Sequence, residues 1–191
     1  MDKLKQRILK DAKVLPGNII KVGSFLNHMV DIGLMRDIGK EFADIFSAEK
    51  PTKILTIEAA GIPIATMTAL ELDIPFIIAK KYDLIEHINT NDDYSAEVVS
   101  HTKKTQHVIR VSKAFFVPGD RVLILDDFLA YGDASRALVE IVRQSQATLV
   151  GIGICIEKSF QNGANELTSQ GINLHSLVRV QSLENGAITM L

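Results

Sequence analysis

The run TLVGIGICIEK, residues 148–158, limits the possible folds of this chain more than any other stretch. It is apolar along nearly its whole length and lacks the two-residue alternation of a strand with one wet face. Such a run suits a parallel strand covered on both faces. Three further runs point the same way: KILTIE at 53–58, PFIIAKK at 75–81 and RVLILDD at 121–127. Helical patterns lie among them, GIPIATMTALEL at 61–72 and GDASRALVEIVRQ at 132–144. Strands alternating with helices imply a parallel sheet with right-handed crossovers. With 191 residues, 47% apolar and 23% charged, the chain is expected to form one α/β domain over 1–191 with a sizeable core.

The flanks read less regularly. Residues 2–13 predict an amphipathic helix, Pro16-Gly17-Asn18 a turn, and Ile19–Val22 a short strand. Apolar residues at Ile32, Met35, Ile38, Phe42, Ile45 and Phe46 predict a helix from Asp31 to Ser47. A polar helical stretch follows near 163–170, then strands in SLVRVQ and AITML about the turn Glu184-Asn185-Gly186. Between Tyr82 and Lys113 the strand–helix rhythm stops. A polar connection of about 30 residues inside a compact domain is functional or disordered, and the alternation in VIRVSKAFF predicts a projecting hairpin there.

Composition narrows the function classes. A net charge of −2 offers no basic field for nucleic acid. The five histidines show no metal-ligand spacing, so no zinc site is expected. The single cysteine, Cys155, is expected as a packed core thiol; it has no partner for an internal disulfide, which fits a reducing cytoplasm. MDKLKQRILKDAK lacks the apolar core of a signal peptide, and no stretch approaches a membrane span.

In an open parallel sheet, ligands bind beyond the carboxyl ends of the strands. Four such ends carry polar groups here: Glu58 before Ala59-Ala60-Gly61, Lys80-Lys81, Asp126-Asp127 and Glu157-Lys158. The stretch Ala130-Tyr131-Gly132-Asp133-Ala134 ends a strand and opens a helix, so free N–H groups and the helix dipole make it a phosphate cradle. It carries neither GK[ST] nor GxGxxG. Two adjacent carboxylates before such a cradle suit a phosphorylated sugar. The phosphate would sit in the loop and the ring hydroxyls against Asp126 and Asp127. Those charges would also stabilise positive charge on the ring or a nearby Mg²⁺.

VLILDDFLAYGDA resembles the phosphoribosyl-diphosphate signature of the type I phosphoribosyltransferases, which couples strand, acid pair and phosphate loop in that order. KVGSFLNHMVD, TKILTIEAAGIPIA, SHTKKT and GIGICIEKSFQNG extend the resemblance to a bacterial purine-salvage branch whose acceptor base is xanthine. The resemblance implies a mainly parallel twisted sheet flanked by helices, a long flexible hood hairpin, and a small hood formed by the N- and C-terminal segments. It implies that Ala130 to Ala134 hold the 5′-phosphate and that Asp126 and Asp127 face the ribose. Glu58-Ala59-Ala60-Gly61, with Lys81, would meet the diphosphate; Ser100, Thr102 and Lys103 of the hairpin would close over it. Ile20, Asn27 and Lys158 would contact the purine. Mg²⁺ would arrive with the phosphoribosyl diphosphate, and the enzyme would be a cytoplasmic homodimer. Two positions depart from the family's pattern. Tyr131 stands where Asn or Thr is usual, and Ala59-Ala60 replaces a pair of serines.

Plainer readings stand beside these. Asn27 could cap the following helix, Lys158 could be a solvated strand end, and only one of Lys80 and Lys81 should face the site. Preference for guanine or hypoxanthine is an alternative specificity. A regulator that binds the sugar diphosphate without reacting would need a DNA-binding module, for which the chain has no spare basic domain. A phosphoacceptor receiver domain would place its acid pair after the first strand rather than a later one.

Overall fold

The computed structural model describes residues 1–83, 91–100 and 105–191, with only the backbone at 99, 100, 105 and 185. Helix α1 (Asp2–Asp11) buries Leu4 and Ile8. It ends two residues before the periodicity suggests: Ala12 is extended, and Lys13–Leu15 forms strand β1. Pro16 disfavours helix at Leu15, and pairing across the turn holds Lys13 and Val14 extended with it. Across the turn, β1 pairs antiparallel with β2 (Ile19–Lys21). A five-residue π-helical turn, Gly23–Asn27, leads to α2 (Ile32–Phe46). The cap of α2 is Asp31, whose carboxylate accepts from Leu34 N at 3.1 Å, so Asn27 has another task.

The main sheet follows the predicted alternation: β3 (Lys53–Ile57), α3 (Ile62–Leu72) and β4 (Phe76–Asp83), then the hairpin β5 (Asp93–Ser100) and β6 (Thr105–Ser112). After it come β7 (Arg121–Leu129), α4 (Asp133–Gln144), β8 (Thr148–Lys158), α5 (Gly163–Ser169), β9 (Leu174–Ser182) and β10 (Thr189–Met190). The strand order is β10-β9-β8-β7-β3-β4-β6-β5. The five strands from β9 to β4 are parallel, and β10, β6 and β5 add antiparallel edges. The predicted hairpin is therefore present, and its described part is a continuation of the sheet: β6 pairs with β4 from Lys80–Arg110 to Asp83–His107.

Both faces are covered, as the apolar strands require. One face packs against α2 and α3 through Met35, Ile38, Phe42, Phe46, Ile64 and Ala65, all fully buried. The other meets α4 through Leu138 and Ile141 and α5 through Leu167. Cys155 is buried in the first core, a packed thiol as expected.

The order of strands decides where a ligand can go. From β3 the chain moves outward to β4; from β7 it moves the opposite way, to β8 and β9. The crevice between the carboxyl ends of β3 and β7 is the switch point of the sheet, where open α/β folds bind ligands.

Candidate active site

The turn Glu58–Gly61 after β3 and the acid pair of β7 flank that crevice. Beneath them the Thr56 hydroxyl, fully buried on β3, donates to the Leu125 carbonyl on β7 at 2.8 Å. Gly61 closes over this tie: a Cβ there would lie 2.1 Å from Thr56 Oγ1 and 3.2 Å from Asp126 Oδ1. Only a residue without a side chain permits that approach.

The acids do not end the strand, as the sequence suggests. β7 continues to Leu129, paired with β8 as far as Glu157, so Asp126 and Asp127 lie within it. Asp126 is buried, at 5% exposure, and its Oδ1 accepts from Asp127 N at 2.9 Å. Burial, and then the charge of Asp127, pushes the Asp126 carboxyl well above the ordinary range; the Lys81 ammonium opposes this in part. Burial also raises Asp127, against the pull of hydrogen bonds led by Asn27. Asn27 Nδ2 donates to Asp127 Oδ2 at 3.2 Å, joining residues 100 apart in sequence. A buried carboxyl beside a half-buried one, their charges repelling, is a site poised for a cation or for hydroxyl donors.

Beyond the strand, Gly132 adopts φ +84° and turns the chain into α4. The first-turn N–H groups of a helix have no carbonyl four residues back, so this end offers donors to an anion. Tyr131 is 45% exposed. On the β3 side, Ala59 is exposed and Ala60 half-buried, and the Glu58 carboxylate accepts from Lys81 N at 2.5 Å. Lys81 and Lys80 both reach solvent; it is Lys81 whose charge acts on Asp126.

Lys158 ends β8. Its ammonium donates to the Asn18 carbonyl at 2.9 Å and lies 5.9 Å from the centre of the Phe128 ring, and burial pulls its pKa down. Ile20 is 6% exposed, its side chain part of the core, which leaves that side chain little surface for a purine. Lys103 and Thr102 lie outside the described residues, as does the Ser100 side chain. Asp126, Asp127, Asn27, Gly61 and Lys81 thus come together, with the cradle 130–134 continuous with them. Sequence reasoning missed Phe128, Thr56 and Asn18. For Phe128 a signal existed: it directly follows the acids on a strand pointing at the crevice.

A mainly parallel sheet with an acid pair at its switch point, leading through a glycine turn into a helix N-terminus, defines an α/β protein of the doubly covered, open-sheet class. The phosphoribosyl transferase domain family matches residues 31–168. The xanthine phosphoribosyltransferase of Oceanobacillus iheyensis is 49% identical over 98% of this chain and 96% of its own length. That of Pseudomonas entomophila is 47% identical, with both chains wholly covered. Among solved structures, the adenine phosphoribosyltransferase of Rhodothermus marinus superposes with a TM-score of 0.74 at 21% identity, over 94% of this chain and 100% of that one. The chain belongs to the phosphoribosyltransferase family, and its fold is the type I fold of that family.

Proposed function

We propose that this chain transfers the 5-phosphoribosyl group of phosphoribosyl diphosphate to N9 of xanthine, giving xanthosine 5′-monophosphate and diphosphate in purine salvage. The observation that carries the reading is the acid pair of β7 running into the cradle at the switch point, with the donors Asn27 and Lys158 beside it. The names of its close relatives support xanthine as the acceptor.

In this reading the backbone from Ala130 to Ala134 receives the 5′-phosphate. Ala59, Ala60 and Gly61 meet the diphosphate, with Lys81 and Lys103 supplying positive charge. Asp126 and Asp127 accept from the ribose hydroxyls. As the C1′–O bond breaks, its electron pair leaves on diphosphate and the ring becomes positive; the acid pair stabilises that charge. N9 of the base attacks the opposite face with inversion, and the proton it loses passes to the departing diphosphate or to solvent. Carboxylate oxygens suit Mg²⁺, which binds through one or two carboxylates plus substrate phosphates. Mg²⁺ would supply the positive charge that the Asp126–Asp127 pair lacks.

Base selection follows from donors. Lys158 has only donors, so it accepts a 6-oxo purine and opposes the 6-amino group of adenine. The Asn27 amide has two N–H donors; one is on Asp127, and the other is available to the 2-carbonyl of xanthine. Guanine would set its amino group against that donor. Lys158→Ala should therefore cost xanthine, guanine and hypoxanthine about equally. Asn27→Leu, which keeps a branched side chain and removes both donors, should lower the xanthine-to-guanine ratio of kcat/KM by about tenfold. An unchanged ratio would assign 2-position recognition to backbone near Ile20.

A cytoplasmic homodimer belongs to the same reading. Exposed apolar side chains, among them Met29, Ile32 and Leu70 at 62%, 54% and 73%, leave surface for a second subunit. Light scattering at micromolar concentration should give twice the 21.0 kDa chain mass; a monomer's mass would contradict the dimer.

A further inference from the structure

The phosphate loop rests on a support outside the acid pair. Gly163, which opens α5, lies against the back of the loop: its N–H donates to the Ala130 carbonyl at 3.1 Å. A Cβ at 163 would stand 2.5 Å from Ala130 O and 2.7 Å from Gly132 N. One turn into α4, the Arg136 guanidinium joins three pieces of chain. Its Nη1 donates to the Tyr131 carbonyl and to Glu166 Oε2, both at 2.8 Å, and its Nη2 pairs with the Asp133 carboxylate. The bond to Tyr131 fixes a carbonyl within the cradle itself. The pair with Asp133 offsets a negative charge at the entrance to an anion site. The bond to Glu166 anchors both to α5.

An exposed i,i+3 ion pair alone would matter little. A planar fork spanning loop, helix and neighbouring helix is another case, because it fixes geometry as well as charge. We infer that Arg136 is a positioning residue for the phosphate loop: it sets the Tyr131 carbonyl and neutralises Asp133, so that the cradle accepts a phosphate dianion. This rests on the reading that residues 130–134 hold the 5′-phosphate.

Calorimetric titration with ribose 5-phosphate tests it on wild type, Arg136→Met and the double variant Arg136→Met/Asp133→Asn. Arg136→Met should bind about tenfold more weakly, the scale of a lost charge-assisted contact, while the KM for xanthine at saturating phosphoribosyl diphosphate stays within about twofold. Removing the Asp133 charge as well should bring the double variant back to within about threefold of wild type. Arg136→Lys keeps the charge but not the fork, and should still lose about threefold; it decides the matter if Arg136→Met fails to fold. Wild-type affinity in Arg136→Met, or in Arg136→Lys should Arg136→Met not fold, overturns the inference, as does a double variant as weak as Arg136→Met. If wild type itself binds no ribose 5-phosphate, the reading of the loop falls first, and this inference with it.

Discussion

Asp126 and Asp127 show most clearly the tension between stability and use. Both carboxyls are raised above the unfolded value of 3.8, chiefly by burial. Over the pH range between that value and the raised ones, the folded chain holds more protons than the unfolded chain, so stability falls as pH rises. Above that range the full penalty of one buried and one half-buried charge is present. Asp126→Asn removes one charge and keeps an oxygen able to accept from Asp127 N. It should therefore raise the melting temperature at neutral pH, by about 2–4 °C per kcal/mol relieved, with little effect near pH 4. Asp127→Asn should lower kcat by about 10²-fold or more, the scale of losing one strong electrostatic contact. Circular-dichroism melts and steady-state rates check the two arms. Normal activity in Asp127→Asn would remove its role at the ribose, and an unaltered pH profile of melting in Asp126→Asn would mean that the Asp126 carboxyl is not raised by its burial. The place of the acids at the crevice was legible in the sequence, because two adjacent charges after four apolar residues are costly unless a cation or hydroxyl donors meet them. The Asn27 contact was not, since residues 100 apart meet only through the fold.

At the scale of elements, the Thr56–Leu125 bond extends the main-chain pairing of β3 and β7 toward the crevice, and the bare Cα of Gly61 leaves room for it. Gly61→Ala would force a methyl against Thr56 Oγ1 and crowd Asp126. The expected cost is about 1–3 kcal/mol in urea unfolding, with a matching loss of turnover. A variant as stable and active as wild type would show that the crevice can widen freely. Strand and helix identity was legible along most of the central sheet because burial on both faces leaves a strong pattern. Boundaries were less so. β7 runs two residues past the acids, since its pairing with β8 outweighs the polarity of Asp126 and Asp127. β1 was invisible because three residues, KVL, carry no period; they become a strand only through β2 across the turn.

At the scale of the whole molecule, function follows from the reversal of strand order between β3 and β7. The reversal gathers a turn from one βα unit, acids and cradle from another, and Lys158 from a third. None of these segments is a site alone. That is why the sequence showed the parts more readily than their meeting, and why only resemblance linked Asn27 and Lys158 to a base. The hairpin β5–β6 was legible as a departure from rhythm, but its seat on β4 depends on a register that sequence does not carry. The central claim, a phosphoribosyl transfer selective for xanthine, is tested most directly by diphosphate release from Mg²⁺-phosphoribosyl diphosphate with xanthine, guanine, hypoxanthine and adenine in turn. The account predicts the highest kcat/KM with xanthine, lower values with guanine and hypoxanthine, and adenine rejected by about 10⁴-fold, as a site built of donors rejects a mismatched donor. Release with adenine as fast as with xanthine, or no release with any 6-oxo purine, would contradict it.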